Sequence, residues 1–115
     1  AMNYSAEFEA AVREAVVTYF EASIADPDVQ ELLTEVYSRV CSTRPAELPR
    51  WLERLGSPLT IRDPSTGDYV EFTLEYARRA SSAIRAGEMS RDDLYQRVKE
   101  AALERLAKLM EELGT

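Results

Sequence analysis

The stretch SRDDLYQRVKEAALERLAKLMEEL, residues 90–113, decides the fold class. Ser90 precedes an acid at the third helical position, Asp93, which is an N-cap pattern. Gly114 stands where a helix C-terminus usually finds its glycine. Between them Tyr95, Val98, Ala102, Leu106, Leu109 and Leu113 recur at spacings of three and four, and Leu94, Leu103 and Met110 widen that stripe. Charged residues fill most of the remaining positions. The period predicts a long C-terminal amphipathic helix around which the rest of the chain is organised.

Upstream of it, a helix is predicted from about Thr73 to Gly87, with Leu74, Ala77, Ala80, Ser81 and Ile84 facing inward. Their small side chains allow another helix to approach closely. Before that the period changes from helical to two-fold. Leu59 and Ile61 alternate with Thr60 and Arg62, and Val70 and Phe72 alternate with Tyr69 and Glu71. The intervening Asp63-Pro64-Ser65-Thr66-Gly67-Asp68 is dense in turn formers, so residues 59–73 read as a β-hairpin with Leu59, Ile61, Val70 and Phe72 turned toward the helices. A lone hairpin is marginal in water and must lie on a helical core or on a second subunit.

The N-terminal half reads as two helices. The first spans residues 5–24, with Ser5 as cap and Phe8, Val12, Ala15, Val16, Tyr19 and Phe20 as its apolar face. Asp26-Pro27-Asp28 breaks and restarts the chain, since proline is tolerated at the first helical position. The second helix then runs to about Cys41 with Val29, Leu32, Leu33, Val36, Tyr37 and Val40 on one side. A short helix is expected from Pro49 to Leu55, with Trp51, Leu52 and Leu55 inward. The expected architecture is mainly α: a compact single domain, residues 1–115, of about five helices and one hairpin. Ala1 ahead of Met2 reads as a remnant of tag cleavage.

Composition narrows the function classes. With 45% apolar residues in 115, the chain can bury a core without staples. No apolar run approaches a membrane span, and no signal peptide is legible. Cys41 is alone, which suits a reducing cytoplasm, and the preference for arginine over lysine suggests a bacterial genome. The net charge of −7 is uneven: residues 1–41 carry −6, residues 42–87 carry +1 and residues 88–115 carry −2. An acidic chain of this kind argues against binding through nucleic-acid phosphates.

With no histidine, Ser–His and Cys–His nucleophile pairs and histidine-ligated metals are ruled out. Each of the four glycines falls at a turn or element end, so no phosphate-cradling loop is present. Carboxylates at helical spacing, Glu31 with Glu35 and Glu100 with Glu104, read as a solvated face rather than a Mg²⁺ site. Cys41, at the end of an apolar helix, reads as a buried structural thiol. No cofactor, metal or catalytic residue is expected. Arg78, Arg79, Arg85 and Arg62 form a possible anion-binding or partner patch; the plainer reading pairs such arginines with acids of the first two helices. Tyr69 and Tyr76 are expected near the surface.

The leading expectation is a small acidic cytoplasmic protein that is non-catalytic and regulatory, and that acts through self-association and a protein partner. A homodimer would use Tyr95, Leu106, Met110 and Leu113, because the final apolar face is wider than a short neighbour covers. Two alternatives remain. One is an acidic inhibitor that mimics nucleic acid or blocks a basic site, of phage or mobile-element type. The other is a small-ligand or Mg²⁺-dependent helical enzyme.

Overall fold

A computed structural model describes residues 5–42 and 58–112. Their elements are α1 (Ala6–Phe20), α2 (Pro27–Ser42), β1 (Thr60–Arg62), β2 (Tyr69–Glu71), α3 (Leu74–Arg85) and α4 (Arg91–Glu112). The fold is mainly helical, with one antiparallel hairpin and a long C-terminal helix, as the periodicities predict. The short helix expected at residues 49–55 lies outside the described residues, as does Leu113.

Local signals fix most boundaries. Ser5 Oγ accepts from the Phe8 N–H at 3.1 Å, Thr73 Oγ1 from the Tyr76 N–H at 3.2 Å, and Ser90 Oγ from the Asp93 N–H at 3.3 Å. Each satisfies an amide that a helix start leaves without an intrahelical partner. α3 ends in a Schellman motif. The Glu88 N–H donates to the Ala83 carbonyl and the Gly87 N–H to that of Ile84, with Gly87 at φ 77°.

α1 stops at Phe20, short of the expected residue 24. Glu21 adopts the left-handed conformation (φ 54°, ψ 32°). The following link is closed by its own polar groups. Ser23 Oγ donates to Asp26 Oδ2 and accepts from the Ala25 N–H, while Gln30 Nε2 donates to the carbonyls of Ala22 and Ser23. Such side-chain contacts compete with helix continuation.

The hairpin pairs Thr60 with Glu71, Ile61 with Val70 and Arg62 with Tyr69. Asp63 Oδ1 accepts from the N–H groups of Ser65 and Thr66, and Gly67 takes φ 79°, so the turn formers do what their chemistry favours. Leu59, Ile61 and Phe72 are buried and Val70 is half-buried. Their apolar face is what holds a hairpin too small to stand alone. Arg105 of α4 donates to the Pro58 carbonyl at 2.6 Å, tying the strand entrance to the helix it lies on.

α2, rather than α4, is the central element. Nine of its sixteen residues are buried, and it packs against α1, α3 and α4. Thr34 and Ser38 are small enough to be enclosed on the side a polarity pattern assigns to solvent. α4 contributes a narrow stripe, Leu94, Val98, Ala102 and Leu106, one residue per turn. Phe20, Tyr37, Phe72 and Tyr76 meet in an aromatic cluster, with ring centroids 5.7 to 6.4 Å apart along the chain of contacts. Tyr76 is therefore core, 3% exposed, where a surface position was expected; Tyr69 is exposed as expected. The small residues Ala77, Ala80 and Ser81 let α3 sit close to α2, which carries Tyr76 into the interior.

Candidate functional site

The four arginines of the expected patch each have a partner of their own. Arg78 makes a two-pronged contact with Asp26, Nε to Oδ1 at 3.2 Å and a terminal nitrogen to Oδ2 at 2.9 Å. Arg78 and then Ser23 hold the Asp26 carboxyl below its ordinary value, and Asp26 holds the Arg78 guanidinium above its own. Arg85 pairs with Asp28 at 2.7 Å. Arg62 donates to the Tyr69 hydroxyl and lies over that ring, and Arg79 lies over Tyr76. Arg78 and Arg85 thus serve as clasps between α3 and the start of α2, as the pairing reading has it. A second clasp joins α2 to the start of α4: Glu35 accepts from Arg39 and Arg91, and Arg39 also reaches Asp92.

The residues named for a dimer interface fall in different environments. Leu106 is 3% exposed and belongs to the core. Tyr95 is half-buried, with Arg39 and Lys99 against its ring. Met110 is half-buried against the core. The centre of the α4 stripe, Leu94, Val98, Ala102 and Leu106, is used inside its own domain.

Buried polar groups do not build an evident reaction centre among the described residues. Cys41 is fully buried, and burial pushes its thiol up to about 12, which keeps it protonated. Burial likewise raises the Tyr37 phenol, and burial together with the nearby Asp63 carboxylate raises that of Tyr76. The hydroxyls of Tyr37, Ser38 and Tyr76 find no hydrogen-bond partner among the described residues. No cluster of three or more potential metal ligands occurs among those residues. No helix among them is long and apolar enough to cross a membrane.

The clearest candidate surface lies on α1. Val12, Ala15, Val16 and Phe20 are buried, yet the opposite face carries Ala6, Ala10 and Val17, with Val17 40% exposed. They floor a shallow trough of about 490 Å³. Tyr19 (44% exposed) and Ile24 (95%) add apolar surface near the helix end. Beside the trough, Glu9, Arg13, Glu31, Thr34, Glu35 and Ser38 line a groove of about 210 Å³ between α1 and α2. Glu9 and Arg13 border both, and pair with each other at 3.4 Å.

This surface was missed in reading the sequence, although a signal for it exists. Ala15, Val16 and Val17 are consecutive, and at 100° per residue three neighbours cannot all face one core. An α-helix apolar on two sides requires either burial on both or a partner.

The fold is thus a helical domain with an inserted hairpin and a two-faced N-terminal helix. No family model matches the chain, and no curated protein or solved structure matches it significantly.

Proposed function

We propose that this is a small non-catalytic interaction protein whose working surface is the outer face of α1. The observation that carries the reading is the pair of opposed apolar faces on that helix, one in the core and one in solvent. Contiguous exposed apolar surface rimmed by charge is characteristic of binding sites. The reading keeps the regulatory, protein-binding role expected from composition and moves its seat from α4 to α1. Its setting is the cytoplasm, which the single buried and protonated Cys41 suits.

Self-association through α4 is the second reading, supported by the half-buried Tyr95 and Met110 beside the α4 stripe. The test is photo-cross-linking in the host cell from a photoreactive residue replacing Val17, against the same residue replacing the exposed turn residue Glu88. Discrete adducts from position 17 and none from position 88 are expected. Identical patterns, or no adduct from position 17, would refute the assignment. A homodimer adduct from position 95 instead would favour the second reading.

A further inference from the structure

We infer that the outer face of α1 docks a cationic amphipathic helix of a partner protein, with one lysine or arginine of that helix entering the groove between α1 and α2. The inference rests on the reading of α1 as the working surface, and adds the chemistry of the partner.

Charge decides between occupants. Among residues 5–35, Arg13 is the only base against eight acids. Four of those acids are neutralised: Glu9 by Arg13, Asp26 by Arg78, Asp28 by Arg85, and Glu35 by Arg39 and Arg91. Glu7, Glu14, Glu21 and Glu31 have no ion pair among the described residues; helical spacing sets Glu7 and Glu14 on or beside the outer face of α1, and Glu21 follows its last residue. Docking a second copy through this face would oppose two such acidic rims, and like charges across an interface are unfavourable. A cationic helix matches the rim instead. The small side chains of Ala6 and Ala10 let its backbone come near, and Val17 gives it an apolar contact.

An independent observation lies in the adjoining groove. Ser38 lines it at 1% exposure, and its Oγ has no hydrogen-bond partner among the described residues. A buried hydroxyl without a partner can still accept a hydrogen bond, and its lack of one calls for an explanation. An ammonium or guanidinium reaching past Glu31 would donate to that Oγ while its charge meets the carboxylate, a charge-assisted arrangement.

The test is a titration of the ¹⁵N-labelled protein with a synthetic helical peptide of leucine and lysine at amphipathic spacing, beside its leucine and glutamate counterpart. The lysine peptide should shift the amides of Ala6, Ala10, Val17 and Ser38, and the glutamate peptide should shift none. Glu14→Lys with Glu31→Lys should weaken binding about tenfold or more, while Glu111→Lys with Glu112→Lys, the same change in net charge, should leave it within about twofold. Ser38→Ala should not lower the melting temperature, since it removes a buried hydroxyl without a partner among the described residues, yet it should weaken binding. Equal loss in both double variants, or shifts confined to other elements, would overturn the inference. If neither peptide binds but dilution of the protein alone moves the α1 amides, the partner class is wrong and α1 remains the working surface. If position 17 also gives no cross-link, both readings fall.

Discussion

Replacing Tyr37 with phenylalanine tests the account of the core most directly. The Tyr37 ring sits 5.7 Å from that of Phe20 and 6.0 Å from that of Phe72, and phenylalanine keeps both contacts. Only the hydroxyl is lost, and that hydroxyl is buried without a partner among the described residues. A buried polar group lacking its hydrogen bond costs about 1–3 kcal/mol, so removing it should stabilise the protein by about 1 kcal/mol. For a chain of this size that is a rise of roughly 4 °C in melting temperature. The sign is diagnostic, because a hydrogen-bonded tyrosine would lose about 1 kcal/mol on the same change. A second signature appears at alkaline pH. The folded phenol is raised above the ordinary tyrosine value of 10.0, so its contribution to stability is complete below pH 10 and falls as the unfolded chain ionises above it. One such group steepens the loss by up to about 1.4 kcal/mol per pH unit. Urea unfolding of wild type and Tyr37→Phe between pH 7 and 11 (roughly the span on which the linkage acts) measures both effects. Destabilisation at neutral pH together with an unchanged alkaline slope would refute the argument.

Four other outcomes follow from the same structure. Leu106→Ala should destabilise the protein by about 2–5 kcal/mol independently of protein concentration, as a core cavity does; concentration dependence in calorimetry would return Leu106 to an interface. Glu21→Gly should stabilise by about 1 kcal/mol, because glycine takes the left-handed conformation without steric cost; a fall in melting temperature would show that the Glu21 side chain matters more than its backbone. Asp26 has a folded pKa below its ordinary 3.8, so its contribution is present above that value and fades as pH falls through the folded pKa; Asp26→Asn should flatten the acid limb of the stability curve, and an unchanged limb would remove the Arg78 contact from the account. Cys41→Ala should flatten the loss of stability between pH 9 and about 12, the interval over which the unfolded thiol ionises and the folded one does not, as followed by circular dichroism.

The elements were legible where one local rule governed. Ser5, Thr73 and Ser90 cap as their hydroxyls favour, Pro27 opens α2, and Gly67 and Gly87 take positive φ where turns require it. What escaped the sequence depended on pairing between distant segments. Tyr76 was assigned to the surface because its burial is set by how closely α3 approaches α2, a distance that Ala77 and Ala80 permit but do not announce. The centre of the fold was placed in α4, the longest periodic stretch. Burial instead favours α2, whose Thr34 and Ser38 are polar by type and interior by position. The arginines gave chemistry without geometry: only the folded chain brings Arg78 to Asp26 and Arg85 to Asp28 across more than fifty residues.

The acidity of the N-terminal third divides into two parts with different physical roles. Asp26 and Asp28 stand at the start of α2 and Glu35 lies further along it, and each meets an arginine from elsewhere in the chain, so their charge is consumed in holding α2 against α3 and α4. Glu7, Glu14, Glu21 and Glu31 meet no such partner among the described residues, and they lie on or near α1, which carries apolar side chains on both faces. Glu9, paired with Arg13 on its own helix, also lies on α1, but among the described residues of this third the ion pairs that join one element to another fall on Asp26, Asp28 and Glu35 and leave the acids around α1 aside. This segregation concentrates negative potential where Ala10 and Val17 offer apolar contact, and it supports a cationic, amphipathic partner over a second acidic copy of the chain.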